Sequence, residues 1–147
     1  MILINRTNKN VTFRIDRDRW RRILGLAWRI SWDPEGTCPP DNWSEEEHWD
    51  LMNYFINVGQ MVSSTDALGL SNALEKLILI IKEMNPKDDE DVYWAKVIWN
   101  AERHRKWAYG FSLGLKDEGN FFLFTEWWEL KMENLVQFCH HGAFMIC

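Results

Sequence analysis

Cysteine is scarce in this chain: Cys38, Cys139 and Cys147 are the whole supply. An odd number at irregular spacing excludes a disulfide framework as the source of stability. Long apolar runs are missing too. The strongest, Leu77-Ile78-Leu79-Ile80-Ile81, falls far short of the ~20 residues a membrane helix needs. The opening residues Met1 to Arg6 carry no apolar stretch of the secretory kind, which predicts a cytoplasmic protein. The eight glycines show neither P-loop nor dinucleotide-fingerprint spacing, so nucleotide chemistry is not expected.

One charge sign is also absent over a long stretch. Residues 31–75 contain nine acidic residues and no lysine or arginine, a net −9. Residues 1–30 carry seven arginines and one lysine against two aspartates, a net +6. The whole chain is −5. These two blocks can neutralise each other within one fold, or lie on separate surfaces, where each becomes an electrostatic docking site.

Tryptophan is abundant: ten residues, at positions 20, 28, 32, 43, 49, 94, 99, 107, 127 and 128. Each couples a large apolar area to one N–H donor, which suits both cores and interfaces. Ten exceed what one small core hides, so some are expected to line a contact surface. The chain has 147 residues, the size of one domain that buries roughly 68–70% of its unfolded surface.

Periodicity outlines the elements. Val11-Thr12-Phe13-Arg14-Ile15 alternates as a half-buried strand should. Asp16 or Asp18 can cap a helix whose stripe is Trp20, Ile23, Leu24, Ala27 and Trp28. Residues 33–42, with three prolines and a glycine, read as a loop. Ser44 and Glu47 have capping-box spacing, which predicts a helix with Trp49, Met52, Phe55 and Ile56 on its apolar side. Ser63 to Asp66 offer a second cap, ahead of a helix through Leu70, Leu74, Leu77, Ile78 and Ile81. A further helix is expected on Trp94, Val97, Ile98 and Ala101, with a hairpin or a helix extension over 109–124. Thr125 caps a last helix through Trp128, Met132, Leu135, Val136 and Cys139. Gly142 suits the left-handed residue after a helix end. Ala143 to Cys147 then form a strand expected to pair with Val11–Ile15.

These elements predict a single domain over residues 1–147, α+β and mainly helical. Four or five helices pack around a central apolar helix at about 70–84, with a small sheet from the N-terminal and C-terminal strands.

Several phrases carry a resemblance. They are Trp32-Asp33-Pro34-Glu35-Gly36-Thr37, then Tyr54-Phe55-Ile56-Asn57-Val58-Gly59-Gln60-Met61-Val62 with Asp66-Ala67, and Phe138 to Ile146. In this order the chain resembles a group of small bacterial proteins for which no activity is established. The resemblance implies one compact domain and a shared structural role for Gly59, Asp66, Gly142 and Phe144. It implies no activity, and residues 86–124 take no part in it.

Three candidate sites follow. The first is an acidic and aromatic patch, Trp43, Glu45, Glu46, Glu47, Trp49 and Asp50, suited to a basic protein partner. The second is a Cys/His cluster, His104, Cys139, His140 and His141, which a metal- or cysteine-dependent hydrolase would use. Its spacing lacks paired metal knuckles, and no glycine-rich oxyanion turn frames a cysteine. Cys38 reads as an incidental loop residue. The third is the arginine-rich first helix, whose Arg17, Arg21 and Arg22 can contact phosphates. The acidic stretch that follows opposes nucleic-acid binding. The leading expectation is therefore a non-enzymatic interaction module, such as an inhibitor or immunity-type binder of a basic partner. The sequence implies no cofactor.

Overall fold

The first strand begins almost at once. In a computed structural model of the chain, residues 1–82 and 126–147 are described, without the side chains of 80, 81 and 126–129. Strand β1 (Ile2–Asn5) pairs antiparallel with β2 (Thr12–Arg14). Asn5 shapes the turn between them: its Oδ1 accepts from the backbone N–H groups of Thr7 (3.0 Å) and Asn8 (2.7 Å). Its amide nitrogen donates to the His141 and Ala143 carbonyls, at 3.0 and 3.3 Å. One buried asparagine thus ties the first hairpin to the far end of the chain.

Helix α1 (Arg17–Ile30) follows, capped by Asp16, whose Oδ1 accepts from Arg19 N at 2.9 Å. The expected stripe is buried: Trp20, Ile23, Leu24, Ala27 and Trp28 all lie in the core. Strand β3 (Gln60–Val62) leads into α2 (Ser64–Lys82), where Ser63 Oγ accepts from Asp66 N at 3.1 Å. Helix α3 (Glu126–His140) precedes β4 (Phe144–Ile146). Between them Gly142 adopts φ +91°, a region L side chains avoid, as the helix-stop reading expected.

The four strands form one antiparallel sheet in the order β2-β1-β4-β3. This corrects the expected pairing of the last strand with Val11–Ile15. Strand β4 instead lies between β1 and β3, with Ile4 opposite Met145 and Met61 opposite Met145 on the other side. The displacement has a simple origin: Ile2–Asn5 and Gln60–Val62 are strands too short for the alternation signal to resolve. They occupy the two neighbouring positions.

Leu3, Phe13, Val62, Phe144 and Ile146 face inward and are buried, and Phe138 packs edge-on against Phe144 at 5.3 Å. Helix α2 packs against both α1 and α3. It is buried along one side only, because Leu68 and Leu79 are 51% and 61% exposed. Three helices and this sheet make an α+β fold among the described residues. No helix there is long and apolar enough to cross a membrane.

A second correction concerns residues 44–56, which form turns rather than the expected helix. Ser44 Oγ accepts from Glu46 N at 3.3 Å and Asp50 Oδ1 accepts from Met52 N at 2.9 Å. Such local bonds offer the backbone an alternative to the helical ladder, and tertiary anchoring makes that alternative win. The helix expected on Trp94, the hairpin or extension over 109–124 and the Thr125 cap lie outside the described residues.

Candidate interaction surface

The long connection between α1 and β3 is held from inside by the side chains of Trp32, Thr37, Tyr54, Gln60 and Asp66. Tyr54, fully buried, donates its hydroxyl proton to Asp66 Oδ2 at 2.5 Å. Asp66 also accepts from the backbone N–H groups of Glu35 (2.8 Å) and Gly36 (3.3 Å). Trp32 Nε1 donates to the Asp66 carbonyl at 3.0 Å, and its ring meets Tyr54 edge to face at 5.1 Å. Burial, then the bond to Asp66, pushes the Tyr54 hydroxyl well above its ordinary value, so it stays protonated and donating. Asp66 is thus a clamp that fixes the Trp32–Thr37 loop against the start of α2.

Two further staples complete the scaffold. Thr37 Oγ1 donates to the Leu51 and Asn53 carbonyls, and its backbone N–H donates to Leu51 O at 2.6 Å. Gln60, buried, donates to the Asn53 and Ile56 carbonyls and accepts from Val58 N through Oε1. Gly36 has φ +124°, and a Cβ there would lie 3.0 Å from Leu51 Cβ. Only glycine fits so close a crossing of two loop strands.

On this scaffold the loop presents its aromatic and acidic residues. Trp49 Nε1 donates to the Thr37 carbonyl at 2.9 Å, which roots one indole in the staple. Trp43 packs against it edge to face, ring centroids 4.9 Å apart, and donates through Nε1 to Glu47 O at 3.2 Å. Both rings are half-buried, whereas Trp20, Trp28 and Trp32 are in the core. Glu45, Glu46, Glu47 and Asp50, neighbours of the pair along the chain, are exposed. All six residues of the expected acidic patch, contiguous in sequence, lie in this connection.

Sequence reasoning missed Leu51 and Met52, which are 59% and 39% exposed beside the same patch. Met52 was assigned to a buried stripe. The available signal was Asp50, whose side chain starts a turn that directs the next residues outward.

The basic helix points to a different environment. Arg17 Nη2 donates to Asn57 Oδ1 at 3.0 Å, and the Arg21 guanidinium lies 5.2 Å from the Phe55 ring centroid. Arg22 is half-buried. Among the described residues these three arginines make no ion pair with Glu45, Glu46, Glu47 or Asp50.

Of the expected Cys/His cluster, Cys139, His140 and His141 lie among the described residues. Cys139 is 1% exposed, and burial pushes its thiol well above the usual cysteine range, which disfavours the reactive thiolate. His140 Nε2 lies 3.1 Å from Glu75 Oε1 on the surface. His141 is exposed, with its backbone N–H closing the helix onto Phe138 O at 3.1 Å. Among the described residues no group of three His, Cys, Asp or Glu side chains is placed to hold a metal ion. His104 lies outside the described residues. Cys38 is exposed, and its backbone exchanges both hydrogen bonds with Met61 at 2.9 Å, extending the sheet edge. Comparison of the chain with protein-family models, curated proteins and solved structures returns no match.

Proposed function

We propose that this chain is a non-enzymatic interaction module, of the inhibitor or immunity type, that binds a basic protein partner through the loop carrying Trp43 and Trp49. The observation that carries the reading is the stapled indole pair in a loop whose Glu45, Glu46, Glu47 and Asp50 are exposed. Anchored, partly exposed aromatics with exposed carboxylates on the same loop suit the hot-spot composition of protein interfaces. Leu51 and Met52 add apolar area to the same face. The carboxylates supply steering toward a cationic surface and disfavour acidic competitors. We place the module in the cytoplasm, a setting that suits three free thiols.

The test is affinity capture from the native cell with two baits, the wild-type chain and a Glu45→Lys/Glu46→Lys/Glu47→Lys variant. A basic protein retained by the first bait and lost from the second supports the reading. Equal recovery on both baits, or recovery of nothing basic, rejects it.

A further inference from the structure

The two faces of the sheet differ in what they meet. Leu3, Phe13, Val62, Phe144 and Ile146 point into the core, whereas Ile2, Ile4, Met61, Met145 and Cys147 alternate outward, half-buried and no part of it. An antiparallel sheet with one open face ordinarily carries polar side chains there. Here the outward positions of β1, β4 and β3 are all apolar, and the polar ones, Thr12 and Arg14, are confined to the edge strand β2. The register aligns Thr12, Ile4, Met145, Met61 and Cys38 in one row across the sheet. Beside that row Ile2 and Cys147 exchange both backbone hydrogen bonds, at 2.7 and 2.8 Å. Opposite charges flank this apolar face. Residues 1–15, which form the β1–β2 hairpin, contain Arg6, Lys9 and Arg14 and no acid. Residues 38–50, which leave the sheet beside β3, contain Asp41, Glu45, Glu46, Glu47 and Asp50 and no lysine or arginine. The bond from Trp49 Nε1 to the Thr37 carbonyl roots that loop at the β3 edge. All of these charged side chains are exposed, and none enters an ion pair among the described residues.

We propose that the outer face of the sheet receives a second copy of this chain, packed face to face about a two-fold axis parallel to the strands. That axis exchanges the flanks: the hairpin of each copy lies over the 38–50 loop of the other, so one charge match is made twice. An axis across the strands would instead set hairpin on hairpin and loop on loop, like charge on like. The Ile4, Met145 and Met61 rows meet at the centre, at the ~10 Å spacing of stacked sheets. Methionine's flexible thioether lets two identical rows interdigitate. Four strands and the Cys38 bridge span only roughly 20 Å, so the apolar area is small. The dimer is therefore weak, with a dissociation constant of about 10–100 µM. It forms from the purified chain alone, so its failure leaves the proposed basic partner untouched.

The experiment is sedimentation equilibrium of the full chain at low salt, over roughly 5 to 500 µM. The wild-type chain is expected to pass from monomer to dimer across that range. A monomer throughout overturns the proposal. Association that continues past the dimer also overturns it, in favour of edge-to-edge pairing through β2. Met145→Glu, in the middle of the face, is expected to weaken the dimer about tenfold or more. Two further variants change exposed charges only and so spare the core. An Arg6→Glu/Lys9→Glu/Arg14→Glu chain and a Glu45→Lys/Glu46→Lys/Glu47→Lys chain are each expected to stay monomeric alone, since like charges then face each other. Mixed in equal amounts they are expected to form a heterodimer, because the reversed hairpin of one meets the reversed loop of the other. A mixture that stays monomeric while the wild type dimerises overturns the arrangement, as does a dimer of either variant alone. The charge-exchanged pair decides the matter even where Met145→Glu fails to fold.

Discussion

Tyr54 and Cys139 are the two described side chains whose proton affinity the fold raises most, and in both burial is the first cause. The folded chain keeps protons that the unfolded chain releases near the ordinary values, 9.0 for Cys139 and 10.0 for Tyr54. Their contribution to stability is therefore complete at neutral pH and declines as pH rises past 9 and then past 10. Tyr54→Phe removes the second decline. Denaturant melts from pH 7 to 11 should show the stability advantage of wild type over Tyr54→Phe shrinking above pH 10; a constant gap would contradict the buried, donating hydroxyl. Thr37 offers a second residue-level test. Thr37→Val keeps the shape but removes the hydroxyl that reaches Leu51 and Asn53 and accepts from Trp49. The expected cost is about 1–3 kcal/mol in urea unfolding, with weaker partner binding because Trp49 loses part of its anchor.

At the scale of elements, the helices were the most legible. Helix α1 follows from a cap at Asp16 and apolar residues spaced for one face, and the helix stop at Gly142 follows from its residue type. Gly142→Ala should lower stability by roughly 1–2 kcal/mol, since a left-handed conformation costs an L-residue about that much. Its Cβ would meet only Ser64 Oγ at 3.5 Å, so strain rather than collision is the cause. Thermal unfolding of the variant measures it, and an unchanged midpoint would sink the assignment. The turns at 44–56 were not legible. Ser44 and Glu47 have the spacing of a helix start, yet the Thr37 and Gln60 side chains take up the Leu51, Asn53 and Ile56 carbonyls. Those donors arrive from the Trp32–Thr37 loop and from β3, and no local pattern announces them. The same holds for β1 and β3, three or four residues long, whose pairing is set by β4.

For the whole molecule, charge segregation makes a prediction about association. Among the described residues, Glu45, Glu46, Glu47 and Asp50 form no ion pair with Arg17, Arg21 or Arg22 of α1. Association with a basic partner should slow markedly between 50 and 500 mM salt (roughly tenfold or more), while dissociation changes little. Stopped-flow binding at several ionic strengths reads this directly, and a salt-independent association rate would remove the acidic loop from the interface.

The acidic loop was itself half legible. Composition identified Trp43, Glu45, Glu46, Glu47, Trp49 and Asp50 as neighbours along the chain, because charge and residue type survive any fold. Their presentation was not, since it depends on Thr37, Tyr54, Asp66 and Gln60 meeting across the molecule. By itself the sequence determined the α+β class, the Asp16 and Ser63 caps and the two opposed charge blocks. These rest on residue type and on spacings within one or two helical turns. Only the tertiary structure decided the strand order, the fate of residues 44–56 and the burial of Cys139. Each of these depends on residues far apart in the chain being brought together, and burial and hydrogen-bond satisfaction at such meetings override local preference.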